Sequence, residues 1–277
     1  MTVHRAAKDR TVLAIIQARM GSVRFPGKVL ADIGGKPMVQ HVIERVRAAG
    51  LVSKTVLATT EDPSDDPLED LGCRLGVAVF RGSSDDVLDR YHAAAIRFGG
   101  EVIVRVTADC PLMDPSIIDR AVSVFEAGGY DHVSTAYPVA TFPDGLDVWV
   151  FSFEALERTW RQATLASDRE HVTTFMWKNP HLFRLSNIKH VEDLSHMRWT
   201  VDEEVDIRLV REVQRHLGNG TGRIFGMGEI LDLLARHPEI SRLNENIGRD
   251  EGLVKSVSQD DPKSIVDASP HPPHAER

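Results

Sequence analysis

Cysteine is nearly absent: Cys73 and Cys110 are the only two in 277 residues. Two isolated thiols argue against a disulfide framework and against a zinc site. Long apolar runs are lacking too. The apolar stretch Val12 to Ile16 stops at Gln17 and Arg19, too short for a secretory signal, and nothing approaches the ~20 residues of a membrane span. Basic charge is in deficit, 33 Lys+Arg against 41 Asp+Glu, a formal charge of −8. That balance argues against nucleic acid or an anionic membrane as the main partner, since both demand basic surfaces. No internal repeat is visible. The expectation is a cytoplasmic protein with one large α/β domain or two smaller ones, long enough to bury a full core.

Against this acidic background one segment is basic. Val12 to Ile16 reads as a buried parallel strand, and it empties into a loop with Gly21, Ser22, Pro26 and Gly27. Arg19, Arg24 and Lys28 sit in that loop, Lys36 lies just beyond, and no acidic residue intervenes until Asp32. Small residues let backbone N–H groups approach phosphate oxygens while Arg and Lys neutralise them, so the segment reads as an anion site. It is not a P-loop, because five residues separate Gly21 from Gly27 and Val29 follows Lys28 where Ser or Thr is required. No G-x-G-x-x-G dinucleotide fingerprint follows the strand either. Read as exposed loop charges, Arg19 and Lys28 are expected to add little to stability.

Strands and helices then alternate, which predicts a mostly parallel sheet covered by helices. Helical spacing of Met38, Val39, Val42, Ile43 and Val46 is followed by strands over 55–59 and 77–80, a helix over 85–98, and a strand over 102–107. Asp114 before Pro115 is a helix start, with Asp as the cap and Pro at the first helical position. The second half is less regular. Strands are expected at 133–135, 146–151, 182–188 and 197–201. Ser167-Asp168-Arg169-Glu170 fits a capping box for a helix running to Lys178, and further helices are expected around 205–213 and 230–235. The division expected is one α/β domain over 1–254, with a nucleotide-binding half at 11–130 and an acceptor or dimer half at 131–254. Residues 255–277 end in a polar, Pro- and His-rich stretch that reads as a disordered tail.

The basic loop resembles the signature of the cytidylyltransferases that activate acidic sugars as CMP conjugates, the 3-deoxy-manno-octulosonate and acylneuraminate enzymes. It is most similar to their spore-coat polysaccharide biosynthesis protein F-like relatives. Their A-R-x-x-S-x-R-x-P-x-K pattern is matched by Ala18, Arg19, Ser22, Arg24, Pro26 and Lys28. The resemblance runs from Val12 to about Leu217 and implies a Rossmann-like nucleotidyltransferase fold with a small antiparallel or mixed extension. It implies a loop that wraps the triphosphate of CTP, Mg2+ as cofactor, and a homodimer formed through the second half. Thr107-Ala108-Asp109-Cys110-Pro111 resembles the segment supplying the first metal ligand, Asp109. Val201-Asp202 ahead of Val205-Asp206-Ile207 resembles the motif supplying the second, Asp202, although Glu203 and Glu204 replace its usual Thr-Pro; without the resemblance Asp202 reads as an ordinary helix cap.

The implied catalytic set is Arg19, Lys28 and Asp109, with Ala18, Arg19, Gly21, Ser22, Arg24, Lys28, Ser83 and Thr107 around the nucleotide. Asp144 and Asp147 in an Asp-Gly turn, and Arg169 and His171 in an R-E-H segment, are candidates for the acceptor. The expected reaction is CMP transfer from CTP to an acidic sugar with release of pyrophosphate, for surface polysaccharide synthesis. Three alternatives stand beside it: a sugar-1-phosphate nucleotidyltransferase using another nucleotide, a cytidylyltransferase with a non-sugar acceptor such as a phosphonate, and a catalytically silent binding homologue.

Overall fold

The computed structural model describes residues 10–218, 223–249 and 251–260. Strand β1 (Val12–Gln17) is buried along its apolar length, the pattern of a central strand covered on both faces. A short hairpin, β2 (Asp32–Ile33) with β3 (Lys36–Pro37), follows the basic loop. β4 (Lys54–Thr60) and β6 (Val102–Thr107) flank β1 in parallel, and β5 (Ala78–Gly82) lies parallel outside β4. Beyond β6 come β8 (Trp149–Ser152), β7 (His132–Ser134) and β9 (Leu185–Asn187), giving the order β5-β4-β1-β6-β8-β7-β9. Only β8 runs against its neighbours. This is the mostly parallel α/β sheet that the alternation predicts, with the mixed extension that the resemblance implies.

The period of two along β1 divides the core. Val12, Ala14 and Ile16 join one cluster with α1 (Met38–Arg47), α2 (Asp66–Arg74), α4 (Pro115–Gly128), α8 (Glu204–Leu217) and α9 (Met227–Arg236). Leu13 and Ile15 join another, under α3 (Val87–Phe98), α5 (Phe153–Gln162) and α7 (Thr174–Lys178). Parallel strands carried this way leave their C-terminal ends as one open edge, where ligands of such sheets bind. β1 and β6 both deliver their ends there, at Gln17 and Thr107.

Several expectations change. Asp114 does accept from Ser116 N–H at the start of α4 (2.8 Å). Ser167, however, is no cap: it lies inside α6 (Ala166–His171), which starts after Leu165. Its hydroxyl and amide both donate to Asp260, and Glu170 accepts from Ser256 rather than reaching back to the helix start. The helix also breaks before Lys178, at Val172 with φ 67°. Residues 197–201 form no strand. The Met197 carbonyl and the Trp199 N–H both bond Asp144 in one isolated parallel bridge, and the Val201 N–H turns away to Asp109, so the pairing does not extend into a ladder.

After α10 (Pro238–Ser241) a further helix, α11 (Glu251–Ser258), runs into the start of the stretch, 255–277, that reads as a tail. Bonds from Ser167 and Lys178 to Asp260 hold its end against α6 and α7. The rest of the expected tail, residues 261–277, lies outside the described residues. Among the described residues no helix is long and apolar enough to cross a membrane.

Candidate active site

The basic loop is held from beneath by a carboxylate on the helical turn Pro63–Asp65, just after β4. Buried Asp65 accepts the Met20 N–H at 2.7 Å through one oxygen. Its other oxygen accepts from Thr59 Oγ1 (3.0 Å), Thr60 N–H (3.1 Å) and Thr60 Oγ1. Met20 in turn accepts the amides of Ser22 and Gly27. Gly27 closes the loop at φ 71°, a left-handed conformation that favours glycine, and leads into the helical turn Lys28–Leu30. Ala18 is buried at the loop's root, while Gly21 lies in open space at its rim. Ser22 Oγ accepts the Phe25 amide at 3.4 Å.

The three loop cations occupy different environments. Arg19 is exposed and makes no hydrogen bond or ion pair among the described residues. Arg24, also exposed, pairs with Asp202 (3.1 Å) and lies 3.8 Å from Glu203 and 3.7 Å from Glu251. Lys28 is buried, which corrects the expectation of an exposed charge. Its Nζ donates to Asp109 Oδ2 (3.1 Å), Asp202 Oδ1 (2.8 Å) and the Val201 carbonyl (2.7 Å).

One ammonium thus spans both carboxylates expected to hold metal. Burial alone would lower the Lys28 pKa, but Asp109 and Asp202 outweigh it and raise it above the usual lysine value. Burial likewise pushes the Asp109 carboxyl up, and the Lys28 charge with hydrogen bonds from Thr107, Lys28 and Cys110 brings it below its ordinary value. The pair is therefore ionised at neutral pH.

Asp202 does not cap the helix that follows. Glu203 takes that place at α8, in a reciprocal box with Asp206. Asp109 and Asp202 are joined through the backbone instead, Val201 N–H donating to the Asp109 carbonyl at 2.8 Å. Two converging carboxylates suit Mg2+, a hard cation that binds through one or two carboxylates and takes its remaining ligands from water and phosphate. No group of three or more acidic, His or Cys side chains placed to bind metal occurs among the described residues, so a closed protein cage is not the alternative.

The acceptor candidates are tied into this centre from one side. Asp144 pairs with buried Arg198 at 3.1 Å, and Asp147 pairs with Arg249. Arg198 also binds Asp206, whose carboxylate is fully buried. Neither arginine is marked by a local motif, and the partners lie 54 and 102 residues away in sequence. Gly145 sits at φ +104° so close to the 198–200 segment that a Cβ there would lie 2.6 Å from Thr200 N.

The other side carries the remaining candidates. Ser83 Oγ accepts the Asp86 amide (3.0 Å), and Asp86 caps α3 through Asp89 N–H. Arg169 donates to Asp86 (2.8 Å) and to the Trp160 carbonyl (2.7 Å). His171 lies 3.7 Å from the Glu170 carboxylate. Thr107 Oγ1 lies 3.2 Å from Cys110 Sγ, beside Asp109. The open edge therefore gathers the loop residues, Asp109, Asp202 and Thr107, with Asp144 joined through Arg198. Arg169 is tied to the Ser83–Asp86 turn, which follows the C-terminal end of β5.

A family model described as cytidylyltransferase matches residues 13–224. Spore coat polysaccharide biosynthesis protein SpsF of Bacillus subtilis is 31% identical over 241 residues, 84% of this chain and 98% of that protein. The 3-deoxy-manno-octulosonate cytidylyltransferase of Geobacter sulfurreducens is 46% identical over 112 residues, 40% of this chain and 44% of the enzyme. Among solved structures, a cytidylyltransferase from Leptospira borgpetersenii superposes with a TM-score of 0.80 at 29% identity, covering 86% of this chain and 98% of its own.

Proposed function

The chain belongs to the cytidylyltransferase family, as a CTP-using nucleotidyltransferase, and from that premise we propose that it transfers CMP to an acidic sugar for surface polysaccharide synthesis. The observation that carries the reading is Lys28, one buried ammonium bridging Asp109 and Asp202 beneath a loop that presents Arg19 and Arg24. An acceptor hydroxyl attacks the α-phosphorus of CTP, and the new P–O bond forms as the bond to pyrophosphate breaks. Arg19, Arg24 and Lys28 bind the triphosphate and neutralise charge on the leaving pyrophosphate; Gly21 and Ser22 keep the loop rim open to it. Asp109 and Asp202 would hold Mg2+, which when bound supplies further neutralisation of the phosphate oxygens.

Ser83 and Thr107 stand beside the base, each hydroxyl already engaged within the protein and thereby oriented. Arg169 steadies the Ser83 turn through Asp86, and we assign it that supporting role, leaving His171 as the acceptor candidate on α6. The acceptor enters beside the Asp144–Asp147 loop, which shares Arg198 with Asp202. A sugar acid fits the resemblance to the 3-deoxy-manno-octulosonate enzyme, and the homodimer is assigned to the second half.

Nucleotide-induced stabilisation tests the reading. With Mg2+, CTP is expected to raise the melting temperature clearly more than UTP, GTP or ATP at equal concentration, because ligand binding stabilises by mass action. Equal shifts would mean that only the triphosphate is recognised, and a larger shift with UTP or GTP would favour a sugar-1-phosphate nucleotidyltransferase. Pyrophosphate release over a panel of sugar acids, sugar 1-phosphates and phosphonates then identifies the acceptor class.

A further inference from the structure

We propose that Arg198 is a positioning residue that sets which oxygen of Asp202 faces the reaction centre. The inference rests on the reading of Asp109 and Asp202 as metal carboxylates. Asp202 divides its oxygens between different cations. Oδ1 accepts from Lys28 Nζ, on the side shared with Asp109. Oδ2 faces Arg24 at 3.1 Å and Arg198 Nη2 at 3.3 Å.

Arg24 is exposed on a loop and free to turn towards phosphate. Arg198 is not: its side chain is 5% exposed. Its guanidinium also donates to Asp206 through Nε (2.9 Å) and Nη2 (3.0 Å), and through Nη1 to Asp144 (3.1 Å) and the Gly248 carbonyl (3.1 Å). A planar fork anchored on both sides cannot rotate without breaking several of these bonds. When Lys28 and Arg24 turn to a triphosphate, Arg198 stays and keeps Oδ2 on the buried side. Oδ1 is then left pointing towards Asp109, the orientation two carboxylates need to share one cation.

The backbone supports the same arrangement. Asp206 accepts the amides of Asp202 and Glu203, both at 2.9 Å, fixing the turn that carries the carboxylate. Asn244 Nδ2 bonds Asp206 Oδ1 (2.8 Å) and the Arg198 carbonyl (3.1 Å). Asn244 and Gly248 lie beyond the stretch matched by the family model, so the chain clamps this arginine from outside that stretch. Partners that orient a metal-binding side chain typically change metal affinity by 10–100-fold when removed.

Arg198→Lys keeps the charge and loses the fork, so one ammonium cannot span Asp144, Asp202 and Asp206 together. Calorimetric CTP binding across a Mg2+ titration, with the melting temperature of each protein, provides the readout. The Mg2+ concentration for half-maximal CTP affinity is expected to rise roughly 10-fold or more in Arg198→Lys, while affinity at saturating Mg2+ stays within a few-fold of wild type. Arg198→Met is expected to show a larger shift if it folds; if it does not, Arg198→Lys decides. A lower melting temperature with an unchanged Mg2+ midpoint would make Arg198 merely structural and overturn the inference alone. Wild-type protein that binds CTP equally with and without metal would overturn the metal reading and the inference with it.

Discussion

At the scale of residues, two cations of one loop should behave oppositely. Arg19 is exposed and unpaired among the described residues, so Arg19→Ala should leave the melting temperature of the free protein nearly unchanged while weakening CTP binding. Lys28 is buried between Asp109 and Asp202, so Lys28→Ala leaves Asp109 facing a second carboxylate without its cation, while Asp202 keeps Arg24 and Arg198. Removing one side of a buried pair costs about 3–5 kcal/mol, and millimolar Mg2+ should recover part of that loss in Lys28→Ala while adding less to wild type. Calorimetric unfolding with and without Mg2+ checks both; equal stability of the two variants would show that Lys28 is not the neutralising group. The motif residues were legible because their chemistry is local: small residues and cations sit within a dozen positions of a strand end. Asp65 and Arg198 were not. Asp65 bonds Met20 from 45 positions away, and Arg198 meets Asp144 across 54, so only the folded sheet edge reveals what they hold.

At the scale of elements, local grammar read well where one segment decides its own structure. The Asp114-Pro115 start of α4 holds because cap and helix are neighbours. Ser167 fails as a cap because its hydroxyl has a stronger partner in Asp260, 93 positions on, and the 197–201 strand fails because its pairing with Asp144 stops after a single bridge and Val201 turns to Asp109. The join between the Asp144 loop and that segment depends on Gly145. A Cβ there would lie 2.6 Å from Thr200 N and 2.8 Å from Trp199 C, at a φ of +104°. Gly145→Ala should therefore push the loop off the 198–200 segment and lengthen the Arg198–Asp144 pair. Backbone strain and contact loss together should cost about 2 kcal/mol or more, and CTP affinity at limiting Mg2+ should fall with it. Urea unfolding and metal-dependent binding measure the two effects; a variant as stable as wild type would show that the close approach relaxes without consequence.

At the scale of the whole molecule, one sheet carries both halves of the site, and its mixed end buries a titratable group that ties stability to pH. His132, on β7, stacks on Phe151 (ring centroids 6.3 Å apart) and is almost wholly inaccessible. Burial, with the charge of Arg105 adding to it, lowers its pKa from the ordinary 6.5 to about 3. The folded protein thus holds this imidazole neutral, while the unfolded chain takes up a proton as pH falls through 6.5. The unfolded state binds more protons between those limits, so the contribution of His132 to stability is complete above pH 6.5 and declines as pH drops towards 3. The decline approaches about 1.4 kcal/mol per pH unit. Carboxylates titrate in the lower part of the same range, so the informative quantity is a difference between proteins. His132→Phe keeps an aromatic ring for Phe151 and cannot take up a proton. Urea unfolding of both proteins at pH 7.5, 6.5, 5.5 and 4.5 should give parallel behaviour above pH 6.5 and a progressively shallower loss for His132→Phe below it. Identical slopes throughout would mean that the folded protein opens enough around β7 to let His132 protonate in place.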